Sequence, residues 1–596
     1  MDTDQKSGDD STISGHVDLS LGCIKELETK LKHDRPCDVT LLVSDARKEF
    51  KAHRDVLAEA SPFFEKLFNS DMKENKEGVI RLDLLSESVL ENVLEFIYTG
   101  SVEILAPQHA EELIVAADYL LLSNLKNLAE RFLNKEVCIS NCLSYLDFAE
   151  KYQCETLVDF AKDVINANFP AVAQCKEFLN LTSEEVERWI SSDEINVSAE
   201  EEVYEIICRW IKQNREERSP RFNELFRHVR LIYISRDYLS KTVKKNNFVE
   251  NDKQCLTSVM SAISYLHRAP WRKSVESPTP QPMRNSLGEP VIVITGTVRK
   301  MAFYLPGTNT WYELPKSPSK PDKYDVLVSR GDKIYKLNSD FSVFERYDPL
   351  VNRWTSSTMP RIPCKLEKCV VDAVAVNNGD IFATLYDAAY FVVAVWKYNF
   401  NSGLWRSITL PLRWPYVAFE DKFVYAMGGT LPSEDHSKQC TRLDTVENKM
   451  KELAPMQIAR FGGYGVAAHR KIFVLAGCLS KEETAPSDCE MYNIDSNEWH
   501  FIATVGSLTI EYSLSCMQCD GTKLYLVERS KNANLVCYNI ERNEWTKIPI
   551  PWVYCHDYSV SNYFQPNITI IPVMMSACSF RIPKKTLGRF HRAKIY

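Results

Sequence analysis

The sequence predicts a multidomain protein in which an α/β domain and an all-α domain precede an all-β six-bladed propeller. Three observations support this order. The C-terminal half contains a repeat with a period in the forties, the N-terminal region contains an alternating strand followed by amphipathic helices, and the region between them has helical periodicity. At 596 residues the chain is also too long for one hydrophobic core.

The C-terminal repeat consists of six pairs in which a Tyr or Leu is followed seven residues later by a Trp or Met. The pairs are Tyr304/Trp311, Tyr347/Trp354, Tyr398/Trp405, Leu443/Met450, Tyr492/Trp499 and Tyr538/Trp545. Their second members lie 43, 51, 45, 49 and 46 residues apart. Four short strands with their turns fill roughly 45 residues, so each repeat predicts one propeller blade. We expect the Tyr in the third strand and the Trp at the start of the fourth.

The two ends of this repeat region predict how the ring closes. The first unit begins at residues 290–296, which have the pattern of a second strand with no first strand before it. The segment Tyr554–Asn562 follows the last pair and has the pattern of a single strand. We therefore expect a C-terminal strand to complete the first blade and leave no open edge. The basic residues after position 576 are expected to form a solvated tail.

The N-terminal region predicts a compact α/β module. Val39, Leu41 and Val43 alternate as in a strand, and the next apolar residues recur at helical spacing. Ser61-Pro62 interrupts that helical run and has the residue types of a new N-terminus. Gly100 is expected to cap the end of a later helix. Residues 133–267 continue as helices, and the polar, Pro-rich residues 268–289 are expected to be a linker.

Several ordered blocks in these regions resemble known families. Those of the first module resemble the BTB domain: Cys37-Asp38-Val39-Thr40, Ala52-His53-Arg54-Asp55-Val56-Leu57, Ser61-Pro62-Phe63-Phe64 and Tyr98-Thr99-Gly100. Asn141-Cys142-Leu143 and Val229-Arg230-Leu231 resemble the BACK domain, and Tyr425-Ala426-Met427-Gly428-Gly429 resembles the Kelch repeat. The resulting division is 1–18 disordered, 19–132 BTB domain, 133–267 BACK domain, 268–289 linker, 290–576 propeller and 577–596 basic tail.

This domain order resembles the Kelch-like family, and the resemblance implies a function. Such proteins commonly act as substrate adaptors of cullin-RING ubiquitin ligases, bind the third cullin and form homodimers. By the resemblance, Met72 and Glu74 match the hydrophobic-x-Glu element that contacts the cullin. Ile24, Leu27 and Leu31 match the N-terminal dimerisation helix, while Asp38 and Arg54 are expected to form a charged pair near the dimer cleft.

The propeller is expected to hold the target protein through loops that join the fourth strand of one blade to the first strand of the next. Arg460 matches an arginine common in family ligand sites, and Arg361 and Arg413 occupy comparable loops. Aromatic residues in the same loops complete the predicted surface: Trp414, Tyr416, Trp552 and Tyr554. Because Arg binds carboxylates in a bidentate manner, this surface predicts recognition of an acidic peptide turn.

Charge and composition exclude several other functions. Residues 1–287 carry a net charge of −13 and residues 288–596 a net charge of +5, which does not indicate a nucleic-acid-binding protein. No apolar run reaches the length of a membrane span, so we expect no membrane partner and a cytoplasmic location with possible nuclear access. Cys516 and Cys519 have no second pair at zinc-ribbon spacing, and neither a metal nor a cofactor is expected.

One alternative function has the same domain order. A dimeric scaffold protein that binds actin or another filament would also combine these domains, and only Met72 and Glu74 favour the ubiquitin adaptor. A propeller enzyme, such as a copper oxidase or a sialidase, would not need a BTB domain. We therefore expect a non-catalytic protein.

Overall fold

The computed structural model describes residues 36–43, 48–70, 78–267, 281–295, 301–319, 326–330, 333–338, 341–363, 369–377, 380–387, 393–399, 402–410, 415–420, 422–430, 436–460, 464–475, 488–504, 517–520, 522–528, 534–551 and 577–593. Contacts divide the chain into two units. The first comprises residues 1–197 and 202–229, and the second comprises residues 198–201 and 230–596.

The described part of the first unit begins with a three-stranded sheet of β1 (Val39–Leu42), β2 (Phe50–Ala52) and β3 (Val79–Arg81). The central strand β1 pairs antiparallel with β2 and parallel with β3. Side chains of β1 alternate between buried and half-buried, as the sequence predicts for a strand with one core face.

The helices that follow enclose this sheet and continue into a helical region. They are α1 (Arg54–Ala60), α2 (Pro62–Phe68), α3 (Glu87–Thr99), α4 (Pro107–Tyr119), α5 (Ser123–Glu136), α6 (Cys142–Lys151), α7 (Glu155–Ala167), α8 (Phe169–Val172), α9 (Lys176–Leu179), α10 (Ser183–Ser191), α11 (Glu200–Gln213), α12 (Arg215–Arg218) and α13 (Phe222–Phe226). One apolar core runs from β1 through α7 and includes Leu41, Leu90, Leu113 and Leu157.

The predicted helix boundaries of this unit have identifiable caps. The Ser61 hydroxyl accepts from the backbone N–H of Phe64 at 3.3 Å, and Pro62 occupies the first helical position of α2. Gly100 ends α3 in the left-handed conformation, at φ 71°. The predicted breaks therefore coincide with backbone groups that need a partner at a helix end.

The described residues of the second unit contain α14 (Arg236–Tyr238), α15 (Asn247–Glu250) and α16 (Lys253–Leu266), and then the strands β4 to β27. Blades 1 and 2 contain β4 (Gly288–Thr295), β5 (Met301–Leu305), β6 (Thr310–Leu314), β7 (Val326–Arg330), β8 (Lys333–Leu337), β9 (Val343–Asp348) and β10 (Arg353–Thr358). Blades 3 and 4 contain β11 (Cys369–Asn377), β12 (Asp380–Asp387), β13 (Val393–Asn399), β14 (Leu404–Leu410), β15 (Tyr416–Glu420), β16 (Phe423–Met427), β17 (Cys440–Asp444) and β18 (Lys449–Leu453). Blades 5 and 6 contain β19 (Tyr464–Ala468), β20 (Lys471–Leu475), β21 (Cys489–Asn493), β22 (Glu498–Ile502), β23 (Met517–Asp520), β24 (Lys523–Glu528), β25 (Asn534–Asn539) and β26 (Glu544–Pro549), and β27 (Ala577–Pro583) returns to blade 1.

These strands form six four-stranded antiparallel sheets, which confirms the predicted six-bladed propeller. The innermost strands contact one another in ring order: β27 contacts β7, β7 contacts β11, β11 contacts β15, β15 contacts β19, β19 contacts β23, and β23 contacts β27. Six sheets arranged in this way present their inner strands to a common centre.

The seven-residue spacing corresponds to direct pairing between the third and fourth strands of a blade. Tyr304 lies opposite Trp311, and the same register recurs in all six blades, including Leu443 opposite Met450. The rings of Tyr304 and Trp311 have centroids 5.2 Å apart, a distance typical of favourable aromatic pairs. The repeat therefore records strand pairing and packing.

The turn between these two strands explains why the spacing is constant. In five blades an Asn lies five residues after the first member of the pair and adopts the left-handed conformation, at φ 51° for Asn352 and 56° for Asn497. In blade 3 Gly403 takes this place, at φ 65°. The Tyr347 hydroxyl donates to the Asn352 side-chain oxygen at 2.7 Å, and Tyr492 donates to Asn497 at the same distance. Asn tolerates positive φ better than most residues, so the turn length and the aromatic pair are linked.

Blade 1 is completed by a C-terminal strand, but the predicted strand was wrong. The strand that pairs antiparallel with β4 is β27, and Ala577 lies opposite Ile294. Tyr554–Asn562 lie outside the described residues. The segment predicted as a solvated basic tail is instead part of blade 1, because Cys578, Phe580 and Ile582 are buried. In the sequence these three residues alternate with Ala577, Ser579 and Arg581.

The end of the helical region makes contacts within the second unit. Residues 230–267, assigned to the helical domain, belong to the same unit as the propeller. The Tyr265 hydroxyl donates to the Asp348 carboxylate of β9. Glu200 and Arg284 are fully buried and form a bidentate ion pair, with Nε to Oε2 at 2.8 Å and Nη2 to Oε1 at 2.9 Å. Residues 281–289 therefore have fixed contacts at one end of the predicted linker.

Candidate functional site

Asp38 and Arg54, the predicted charged pair of the first unit, lie next to each other. The Asp38 carboxylate accepts from the backbone N–H of Arg54 at 2.9 Å, at the first residue of α1. The Arg54 Nε donates to the Asp38 carbonyl oxygen at 3.4 Å, and its guanidinium lies over the Phe68 ring at 5.3 Å. Asp38 thus compensates the partial positive charge at the start of α1, in addition to contacting Arg54.

A neighbouring histidine has a structural explanation. The Tyr98 hydroxyl accepts from the backbone N–H of His53 at 2.9 Å and lies 3.0 Å from His53 Nδ1. Burial raises the pKa of Tyr98 to about 12, so its hydroxyl remains protonated at neutral pH. His53 is therefore held by a neutral hydroxyl group.

The other predicted residues of the first unit lie outside the described residues. Met72 and Glu74 fall between α2 and β3, and Ile24, Leu27 and Leu31 precede β1. Their roles in cullin binding and dimerisation stay predictions.

In the propeller, the predicted substrate residues fall into three groups. Arg361 is exposed in the segment after β10, whereas the side chains of Tyr416 and Arg460 are 2% and 0% exposed. Arg413, Trp414, Trp552 and Tyr554 lie outside the described residues. The expectation that Tyr416 and Arg460 form part of an exposed basic and aromatic surface therefore needs correction.

Arg460 is buried because it anchors its own loop. Its Nη2 donates to the Glu490 carboxylate at 2.6 Å, and its Nη1 donates to the carbonyl oxygen of Asp488 at 2.5 Å. The same carboxylate accepts from the backbone N–H groups of Gln457 and Ile458 at 2.8 and 3.2 Å. A buried charge needs such compensation, and here it fastens the segment from β18 to β19 onto β21.

The glycine pair after β16 permits this arrangement. Gly428 has φ 64°, and a Cβ atom there would lie 2.6 Å from the carbonyl oxygen of Arg460. The backbone N–H of Gly429 donates to that oxygen at 2.9 Å. A side chain at position 428 would therefore displace the segment that carries Arg460.

Blade 2 contains a second anchor of the same type, which sequence reasoning missed. Glu345 in β9 accepts from the backbone N–H of Ser319 at 2.7 Å and pairs with the buried Lys336 at 3.6 Å. Glu345 and Glu490 each lie two residues before the tyrosine of the seven-residue pair in their blade, Tyr347 and Tyr492. A Glu two residues before the tyrosine is the sequence feature that distinguishes these two anchored repeats, because the other repeats have uncharged residues at that position.

Tryptophan side chains fix the same class of loop from the neighbouring blade. Nε1 of Trp405 donates to the carbonyl oxygen of Pro360 at 2.7 Å. Arg361 follows directly, and the next residue, Ile362, is buried. The backbone on both sides of Arg361 is therefore held in place while its side chain faces solvent.

Comparison with known proteins agrees with this architecture. Residues 27–137 match the family model of the BTB/POZ domain, and residues 142–244 match that of BACK, described as "BTB And C-terminal Kelch". Kelch-like protein 40 of Xenopus tropicalis is 26% identical over 524 residues, covering 79% of this chain and 83% of that protein. Human Kelch-like protein 3 is 30% identical over 336 residues, 55% of this chain and 56% of that protein.

Among the described residues, no helix is both long enough and apolar enough to span a bilayer.

The two matched domains, the propeller and the two relatives all bear on the family of this chain. The BTB and BACK matches and the similarity to Kelch-like proteins 40 and 3 support assignment of the chain to the Kelch-like family, which combines BTB, BACK and Kelch regions.

Proposed function

We propose that this protein is a substrate-recognition adaptor of a cullin-RING ubiquitin ligase. In this proposal the BTB and BACK regions bind the third cullin, and the propeller captures the target protein. Membership of the Kelch-like family supports an adaptor role in such ligases in general, and supports a role other than that of an enzyme. The observation that carries the proposal is the combination of a BTB match, a BACK match and a propeller in one chain.

The physical basis of the proposed function is tethering. Ubiquitin transfer would occur on other subunits, so the adaptor would only raise the effective concentration of the target's lysines near the loaded enzyme. A BTB homodimer would offer two propellers, and two-site capture strengthens binding by roughly 10²–10⁴-fold without new contacts. A cytoplasmic location with nuclear access accords with this role and forms part of the proposal.

For the cullin contact we propose Met72 and Glu74, which follow α2 in the sequence. For the dimer contact we propose the residues Ile24, Leu27 and Leu31. The geometry of Asp38 and Arg54 supports a fixed N-terminus of α1, which would present a defined surface to a partner.

For the target surface we propose the exposed loops between blades, with Arg361 as a contact for an acidic peptide turn. Arg361 is exposed and lies between Pro360, whose carbonyl oxygen accepts from Trp405, and the buried Ile362, so binding would order little additional backbone. Arg413, Trp414, Trp552 and Tyr554 remain proposed neighbours. The burial of Arg460 gives it a supporting role, in which it holds the adjacent loop.

The proposal is tested by calorimetry of the full chain with the N-terminal domain of the third cullin. We expect a Kd below about 1 μM, and at least a tenfold loss of affinity in the double variant Met72→Ala/Glu74→Ala. Glu541→Ala, an exposed acid of the propeller, is the charge control and should leave the affinity unchanged.

Absence of binding from a folded chain would contradict the adaptor proposal. Actin co-sedimentation would then test the alternative of a cytoskeletal scaffold. For the target surface, an array of acidic peptides should bind the wild type and should bind Arg361→Ala more weakly. Equal binding would exclude Arg361 as a contact.

A further inference from the structure

Two cysteine side chains meet at one backbone carbonyl in the first unit. Cys142 is the first residue of α6, and Cys175 directly precedes α9. The Cys142 thiol donates to the Ile139 carbonyl oxygen at 3.4 Å, and the Cys175 thiol lies 3.7 Å from the same atom. Because both sulfurs lie within hydrogen-bond distance of one oxygen, the two thiols are close neighbours.

A third cysteine lies one turn before Cys142. The backbone N–H of Cys142 donates to the Cys138 carbonyl oxygen at 3.0 Å, which makes the two residues successive members of one helical turn. The Asn141 side chain accepts from the backbone N–H of Cys138 at 2.7 Å and donates to the Glu136 carbonyl at 2.9 Å. The turn that carries Cys138 is therefore held by side-chain hydrogen bonds, and Cys138 lies close enough to Cys175 for its charge to help burial raise the pKa of the Cys175 thiol.

The three thiols differ in exposure. Cys138 is exposed, Cys175 is partly exposed and Cys142 is buried, and all three are free thiols. The Cys138 sulfur lies 3.1 Å from the Ser140 hydroxyl oxygen. An oxidant in solution therefore reaches Cys138 most easily, Cys175 next, and Cys142 least.

The three thiols also differ in their pKa values. The hydrogen bond from the Ser140 side chain lowers the pKa of Cys138, while burial raises that of Cys175 and raises the pKa of Cys142 to about 11. Because the thiolate is the reactive form of cysteine, Cys138 is the thiol of the cluster with the largest reactive fraction at neutral pH.

We propose that Cys138 and Cys175 form a reversible, peroxide-responsive thiol pair that closes to a disulfide between the start of α6 and the start of α9. In the first step the Cys138 thiolate attacks one oxygen of hydrogen peroxide, the O–O bond breaks, and the second oxygen leaves as hydroxide and becomes water. Cys138 is then a sulfenic acid. In the second step the Cys175 thiolate attacks the Cys138 sulfur, the S–O bond breaks, and a second water is released.

This sequence balances in atoms and electrons. Two thiols lose two electrons and two protons in total, and one peroxide accepts them to give two waters. Cys175 is the resolving thiol because it combines proximity to Ile139 with partial exposure. The disulfide would join two segments that are separated by α6, α7 and α8 in the chain, and it would restrict their opening. The site is independent of the adaptor function and would add redox sensitivity to the first unit.

The test is a peptide map of the reduced, full-length chain treated with hydrogen peroxide and then with N-ethylmaleimide. Trypsin places Cys138 and Cys142 together on residues 136–151 and Cys175 on residues 163–176. We expect these two peptides to be linked, with fragmentation placing the bond at Cys138, and we expect dithiothreitol to release them. Mixing isotope-labelled with unlabelled chains should give no link between the two labels.

Matched variants decide the assignment. Cys138→Ser and Cys175→Ser should each abolish the link, and both positions are accessible enough for the fold to tolerate Ser. Cys37→Ser, at an exposed cysteine outside the cluster, should retain it. A link that persists in Cys138→Ser, a link between labels, or over-oxidation of Cys138 while Cys175 still reacts with N-ethylmaleimide would each overturn the proposal.

Discussion

Nε1 of Trp499 donates a hydrogen bond to the carbonyl oxygen of Ala454 at 2.8 Å. The backbone N–H of Ala454 in turn donates to the side-chain oxygen of Asn497 at 3.0 Å. One residue at the end of blade 4 is thus held at both its polar backbone groups by blade 5. Ala503 has the same two partners in Asn543 and Trp545, at 2.8 Å each. These bonds join blade 4 to blade 5 and blade 5 to blade 6.

We expect Trp499→Phe to lower the free energy of unfolding by about 2–3 kcal/mol, because the Ala454 carbonyl loses its donor and a small cavity forms. The measurement is the propeller transition in scanning calorimetry. Met450→Leu is the matched control in blade 4, where the side chain is 55% exposed, and should change stability by less than about 0.5 kcal/mol. Equal effects of the two variants would contradict a specific role for the indole.

A second prediction concerns the two arginines that sequence reasoning treated alike. Arg460→Met leaves the buried Glu490 carboxylate without its cation and should destabilise the propeller by about 3–5 kcal/mol. Arg361→Ala removes an exposed side chain and should change stability by less than about 0.5 kcal/mol. Thermal unfolding of both variants measures the difference. If Arg460→Met unfolds at the wild-type temperature, its ion pair does not support the loop.

A third prediction concerns the buried ion pair that joins the start of α11 to residues before β4. Arg284→Met should destabilise the second unit by about 3–5 kcal/mol, because Glu200 remains buried and charged. The double variant Glu200→Gln/Arg284→Met should cost less than the two single changes together. A double-mutant cycle by chemical denaturation measures this coupling, and additive effects would refute it.

A fourth prediction concerns the C-terminus. A chain that ends at residue 576 lacks β27, so β4 loses one of its two antiparallel partners and the core of blade 1 loses Cys578, Phe580 and Ile582. We expect this chain to unfold at a lower temperature and to aggregate through the open edge. A chain that ends at Ala593 keeps β27 and should behave as the wild type in size-exclusion chromatography. A monodisperse shorter chain of unchanged stability would show that β27 is dispensable.

A fifth prediction follows from Lys585, whose Nζ lies 3.4 Å from the Ile232 carbonyl oxygen. Burial lowers the pKa of Lys585 to about 8 and outweighs the attraction of Glu201. The unfolded chain titrates near about 10.4, so between these values it binds more protons than the folded chain. The free energy of unfolding should therefore rise between about pH 8 and 10, by less than about 1 kcal/mol because Lys585 is exposed and solvent screens its charge, and this group should not change the stability below pH 8.

Comparison of two variants over that pH range isolates the effect of Lys585. Lys585→Met should remove this rise and should be more stable than the wild type at pH 7. Lys584→Met, which changes a half-exposed neighbour, should keep the rise. If the stability difference between Lys585→Met and the wild type does not depend on pH, the Lys585 amine does not titrate as described.

The sequence by itself determined the six-bladed architecture, because Tyr304/Trp311 and the equivalent pairs lie in local hairpins. The turn at Asn309 fixes which residues face each other, so spacing along the chain translates directly into a strand register. Caps such as Ser61 and Gly100 are local in the same sense. These features depend on residues that are close in sequence, and composition and periodicity are enough to find them.

Only the tertiary structure decided which charges face solvent and which strand closes the ring. Arg460 and Arg361 occur in comparable loops, but only Arg460 is buried. It forms an ion pair with Glu490, which is thirty residues away in the chain. The strands β27 and β4 pair although almost the whole propeller region separates them in the sequence. The basic residues of β27 and its surroundings made the alternation of its apolar residues hard to recognise. Such contacts join residues that are distant in the chain, and their energies come from burial and charge compensation that no local pattern records.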